Sequence, residues 1–69
     1  MENLISAIRQ GIIIEDEFIQ LYLNVIKDEG FLKYFPDQNQ AQTSLEILIK
    51  ESQEHKQTLE DIINKISYV

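Results

Sequence analysis

The feature that most constrains this chain is a run of residues spaced alternately three and four apart in its second half. Six of the eight positions in the run are aliphatic, and the two in the middle are Ser52 and His55. The full run is Leu45, Leu48, Ser52, His55, Leu59, Ile62, Ile66 and Val69. Such spacing lines up one side of a helix and is typical of the seam of a left-handed helical bundle.

The first half of the chain has the same helical character. Residues 2–10 carry apolar side chains three and four apart, which predicts a short amphipathic helix that stops or bends at Gly11. A longer apolar stripe then predicts a helix over about 12–29, with Gly30 as its terminator. No alternating strand pattern interrupts these segments, so the sequence predicts an all-α fold.

The two long helices are separated by a predicted loop over about 30–42. Its first part is aromatic, and its second part is a polar stretch with little to bury. Phe31, Tyr34 and Phe35 are expected to cap the end of the bundle, or, if exposed, to mark a docking surface. The second long helix is predicted over about 43–68, starting at Thr43 with Glu46 as its reciprocal cap. Asp37 with Gln40 is an alternative, earlier start.

The size of the chain makes self-association attractive. A domain of 69 residues buries only about 60% of its unfolded surface, and without cysteine it has neither disulfides nor thiolate zinc sites to stabilise it. A single helical hairpin cannot cover both sides of the seam, whereas two copies can. We therefore predict one domain over residues 1–69 that forms a homodimeric four-helix bundle, with a coiled-coil rod as the structural alternative.

The charge balance limits the classes of partner. Six basic residues stand against twelve acidic ones, a net charge of −6, which repels nucleic acid and anionic membrane surfaces. The chain contains no apolar run long enough to span a bilayer, and it begins without the basic and apolar regions of a secretory signal. We expect a cytoplasmic protein that binds neither nucleic acid nor membranes.

A metal centre is predicted by comparing which residues of the two long helices lie at the same level along the hairpin. If the chain folds back near Phe35, residues whose numbers add to about 70 lie level, and Glu15 and His55 meet this condition. Glu51 precedes His55 by four residues and can share its face. A dimer would then hold four carboxylates and two imidazoles, a ligand set suited to iron or manganese, including a paired di-iron site.

Each of these residues also has a simpler interpretation. A lone histidine in a helix seam is commonly a hydrogen-bonded core residue, and Glu51 could instead form a salt bridge at the rim. Acidic residues near a helix start, such as Asp16 and Glu17, complement the helix dipole. Lys56 is expected on a solvated face of the second helix.

Several segments resemble the rubrerythrin branch of the ferritin-like proteins. Residues 2–8 and the glycine that follows resemble the short helix that leads into the first long helix of that family. Glu15 followed seven residues later by Tyr22 is similar to the family's ligand glutamate and its inward tyrosine. The segment Lys27-Asp28-Glu29-Gly30-Phe31 resembles the turn that ends that helix, and Glu54-His55-Lys56 with Leu59 resembles the region of the ligand histidine.

The resemblance implies a half-length ferritin-like chain that binds iron or manganese and could oxidise iron or reduce peroxide. The family has a glutamate three residues before its histidine, where this chain has Ser52. The second helix pair and a rubredoxin-like cysteine segment are also missing from the sequence. The alternatives are therefore a non-catalytic helical dimerisation or interaction module with a degenerate metal site, and a small subunit whose acidic surface binds a basic partner.

Overall fold

A computed structural model describes residues 2–66, which form two long helices joined by a short one. Helix α1 spans Glu2–Lys27, α2 spans Glu29–Leu32 and α3 spans Gln38–Ile66. The two long helices pack against each other, which confirms the predicted all-α fold with a pair of long helices for residues 2–66. The predicted end of the second helix at residue 68 and the seam position Val69 lie outside the described residues.

Helix α1 differs from the prediction at Gly11, because it continues through this residue without a break. A glycine inside a helix costs about 1 kcal/mol relative to alanine, which is less than the packing energy that a 26-residue amphipathic helix gains against its neighbour. A β-carbon at this position would lie 3.3 Å from Cδ1 of Leu59. The missing side chain of Gly11 therefore lets α3 approach α1 closely.

The connection between the long helices is also shorter than predicted. Helix α1 ends at Lys27, because the Asp28 carboxylate accepts a hydrogen bond of 3.1 Å from the backbone N–H of Phe31 and starts α2. Gly30 lies inside α2 and does not terminate a helix. Asp37 caps α3 by accepting from the N–H of Gln40 at 3.0 Å, so the earlier of the two predicted starts is confirmed.

The register of the two long helices follows the predicted heights. Glu15 contacts His55, and the site of a β-carbon on Gly11 contacts Leu59, so both pairs have residue numbers that add to 70. The contacting residues Asp16 and Lys56 have numbers that add to 72, close to the same sum. The helices therefore run antiparallel about a midpoint near Phe35.

The side of α3 that faces α1 is rotated slightly from the predicted seam. Ser52 is only 7% exposed, and Leu45 and Leu59 are partly buried, as expected of seam positions. Leu48 and Ile62 remain 40% and 39% exposed, however, and His55 is also exposed. Three positions one residue later in the chain, Ile49, Lys56 and Ile63, are better covered. The predicted seam residues Leu48, His55 and Ile62 thus lie at the edge of the interface between α1 and α3 and not inside it.

Candidate functional site

Glu15 and His55 meet near the middle of the hairpin. The Oε1 atom of Glu15 lies 3.5 Å from Nδ1 of His55. The Glu15 side chain is 18% exposed, whereas that of His55 is 65% exposed. The separation is that of an ion pair when the ring is protonated and exceeds an ordinary hydrogen bond. The sequence therefore identified a carboxylate and an imidazole that do converge.

Ser52 lies one turn before His55 and occupies the interface between α1 and α3. It is one of the most buried residues described, at 7% exposure. A serine hydroxyl is a weaker metal ligand than a carboxylate, but it can be buried between two helices without a charge to desolvate. Ser52 therefore permits close packing of the helices but offers no strong metal ligand.

Glu51, the third predicted ligand, is exposed on the surface of α3. Within residues 2–66 of one chain, no three carboxylate or histidine side chains are gathered closely enough to hold a metal ion. The residues of one copy thus supply a two-ligand site, Glu15 with His55. A complete coordination shell would need Glu51 to turn inward, or a second copy to add its own ligands.

The Glu15 and His55 pair lies in the middle of one flat side of the hairpin, which we call the apolar face. Residues separated by three, four, seven or eleven positions share a helix face, and these spacings from Glu15 and His55 reach mostly apolar side chains. Leu4 is 66% exposed, Phe18 42%, Leu48 40% and Ile62 39%. The ring of Phe18 stacks on that of Tyr22, with centroids 6.1 Å apart. The apolar face consists of Leu4, Phe18, Tyr22, Leu48 and Ile62.

The opposite side of the hairpin is largely polar, although it carries the exposed Ile13 and Leu21. Lys56 donates a hydrogen bond of 2.7 Å from Nζ to Oδ1 of Asp16 across the two helices. This hydrogen bond, together with the negative charges of Asp16 and Glu60, raises the pKa of Lys56. The same side also bears Arg9, Gln20, Gln42 and Gln53, all of them exposed.

The Asp16 and Lys56 pair corrects two sequence interpretations. Asp16 lies in the middle of the continuous helix α1, so it is too far from the helix start to interact with the dipole there. Lys56 is partly buried beside α1, with its side chain 31% exposed. The height rule that identified Glu15 and His55 could have found this pair as well, since each of its members follows one of those residues directly.

The loop end of the hairpin carries a groove of about 400 Å³, whose lining combines aromatic and aliphatic side chains with the polar Asp37, Gln40 and Ser44. Phe31 and Phe35 form one wall, with ring centroids 5.4 Å apart in an edge-to-face arrangement. Tyr34 does not line the groove and is 85% exposed. The aromatic residues therefore shape an open groove at this end and leave a surface that a capped bundle would cover.

No protein family, curated protein or solved structure was found to match the chain. Within residues 2–66, neither long helix has a stretch both long and apolar enough to cross a bilayer.

Proposed function

We propose that the chain is a homodimeric metal-binding protein in which two hairpins pack through their apolar faces as a ferritin-like four-helix bundle. Glu15 and His55 of both copies would hold iron or manganese between the hairpins, with Glu51 as a further ligand. The observation that carries the proposal is the contact of a mostly buried Glu15 carboxylate with the His55 imidazole at 3.5 Å, in the middle of an uncovered apolar surface.

The dimer is supported by the contrast between the two sides of the hairpin. Four exposed apolar side chains, Leu4, Phe18, Leu48 and Ile62, share the side that carries Glu15 and His55. On the other side, the exposed Ile13 and Leu21 lie among Asp16, Glu17, Gln20 and Asn24. The described residues measure 51 × 15 × 13 Å between α-carbons, so one whole side of the hairpin projects to roughly 750 Å². A standard protein interface buries roughly 800 Å² of each partner, so a dimer of that size would have to use this side along its full length, with the apolar face at its centre.

The metal is supported by the chemistry of the four side chains that a dimer would bring together. Two Glu15 carboxylates placed close together in a desolvated interface repel each other, and a divalent cation would neutralise them. Carboxylate and neutral imidazole ligands suit iron and manganese, and iron when bound could supply oxidation or peroxide-reducing chemistry. The chain's own part would be to orient these ligands and exclude water with Phe18 and Leu48.

Metal binding can be tested with protein purified without a histidine tag and dialysed against Mn²⁺, with elemental analysis afterwards. We expect about one metal per chain in the wild type and loss of that metal in His55→Ala and Glu15→Gln. Lys56→Ala is the matched control, because it changes the neighbouring residue on the polar side and should keep the metal. Wild-type protein that remains free of manganese, and of iron in an anaerobic repeat, would contradict the proposed site.

A non-catalytic dimerisation module is the second candidate, and Ser52 is the observation that favours it. Its burial between the helices at 7% exposure leaves the family's second carboxylate position without a ligand. In that case, His55 and Glu15 would only fix the register between helices. Wild-type protein that is dimeric by sedimentation equilibrium but binds no metal would support this candidate over the first.

A further inference from the structure

We infer that the two copies pack antiparallel, with α1 lying along α1 of the partner copy and the Phe18 ring covering Gly11 of that copy. The inference rests on the proposed dimer and adds its orientation, which determines which side chains surround the Glu15 and His55 pairs. It follows from the positions of large and small residues on the apolar face.

A symmetric dimer that uses one face has two simple arrangements, because its two-fold axis must lie in the plane of that face. An axis along the helices puts both loop ends together and sets α1 against α3 of the other copy. An axis across the helices puts the loop ends at opposite ends and sets α1 on α1 and α3 on α3. The Glu15 and His55 pair lies near the middle of the hairpin, so an axis through this pair gives the largest overlap in either arrangement.

In the antiparallel arrangement, residues at equal distances before and after the axis meet, and an axis midway between Ile14 and Glu15 pairs residues whose numbers add to 29. Phe18 and Gly11 form one such pair, each about 5 Å from the axis along the helix. Tyr22 is seven residues after Glu15 and faces Ala7, which is eight before it. Two large rings thus oppose two of the smallest residues on the face, as close packing of helices requires.

Helix α3 is similarly matched about His55. Leu48 lies seven residues before His55 and Ile62 seven after it, about 10.5 Å from the axis on either side. Both are exposed in the single chain, at 40% and 39%. The antiparallel arrangement covers each of them with the other, which removes apolar surface from water on both copies.

The arrangement with both loop ends together fits less well. It would bring Phe18 level with Glu51 of the other copy, because both lie slightly toward the loop from the central pair. Placing Glu51 against an aromatic ring would separate its carboxylate from the metal for which it is proposed as a further ligand, and burying a carboxylate without a partner costs free energy. The antiparallel dimer instead places Phe18 against Gly11 and the Leu59 side chain that packs on it, where no charged group is desolvated.

Cysteine cross-linking tests the orientation directly, because the natural chain contains no cysteine. Val25 is ten residues after Glu15 and Leu4 is eleven before it, so the antiparallel dimer brings position 4 of one copy to position 25 of the other. Within one chain these positions are 21 residues apart along α1, about 31 Å, and a short bis-maleimide reagent cannot join them. We expect a covalent dimer from the double variant Leu4→Cys/Val25→Cys and none from either single variant.

A second pair, Leu48→Cys/Ile62→Cys, repeats the test on α3 in case the first variant folds poorly, with circular dichroism as the check on folding. Single variants that cross-link as efficiently as the double variants would show loop ends together and overturn the antiparallel arrangement, while the proposed dimer would stand. A chain that sediments as a monomer and cross-links in no variant would overturn the proposed dimer itself.

Discussion

Replacing Leu48 with glutamine should weaken the dimer by an amount that its exposure allows us to calculate. Full burial of a leucine side chain contributes about 1.5–3 kcal/mol relative to exposure in water. Leu48 is 40% exposed in the single chain, so covering this exposed 40% in the dimer contributes about 0.6–1.2 kcal/mol per copy. The two copies in a symmetric dimer together lose about 1.2–2.4 kcal/mol, which raises the dimer Kd about sevenfold to fiftyfold.

Sedimentation equilibrium over a range of concentrations measures this Kd, and circular dichroism confirms that each variant remains helical. Ile13→Gln is the matched control, because Ile13 is also a large aliphatic residue, 49% exposed, but lies on the polar side. Its Kd should equal that of the wild type. Equal Kd values for Leu48→Gln and the wild type, or an equal increase for both variants, would refute burial of the apolar face in the dimer.

Three further variants and one control test the packing of the single chain and the proposed metal site. Asp37→Ala removes the cap of α3 and should lower the free energy of unfolding in urea by about 1 kcal/mol, whereas Asp61→Ala, whose carboxylate accepts a hydrogen bond from a side chain one turn away, should cost only a few tenths. Ser52→Glu puts a carboxylate into the interface and should cost several kcal/mol without metal. Mn²⁺ should restore stability if this carboxylate joins the proposed metal site, and Mn²⁺ without effect would count against that site. The raised pKa of Lys56 makes its pairing with Asp16 fully effective below the ordinary value of 10.5 and ineffective above the raised pKa. As the pH rises from 10.5 through the raised pKa, the wild type should therefore lose more stability than Lys56→Met does, and parallel losses would contradict the pairing.

The register of the long helices could be predicted from the sequence because it depends on simple geometry. Both helices rise by the same distance per residue, so a fold-back point near Phe35 determines which residues lie level. Glu15 and His55 were found in this way, and their contact at 3.5 Å confirms the predicted heights. The metal that they are proposed to bind stays a prediction, because it depends on a second copy.

The errors arose where a local signal competed with tertiary packing. The low helix propensity of Gly11 predicted a break in the helix, but the helix continues and packs closely against Leu59 at that point. Gly30 reads as a helix terminator, but the Asp28 carboxylate had already started a new turn. Leu48 and Ile62 satisfy the seam spacing, yet periodicity alone cannot decide whether a stripe faces the same chain or another copy. Their exposure in the single chain is the reason that a partner copy is proposed.

The central claim is that a second copy of the chain covers the apolar face around Glu15 and His55. Thermal unfolding of the unmodified protein over a hundredfold range of concentration tests it most directly, because unfolding of a dimer separates the two chains. We predict that Tm rises steadily with concentration. A Tm that does not change across this range would contradict the claim and show that the hairpin folds with its apolar face uncovered.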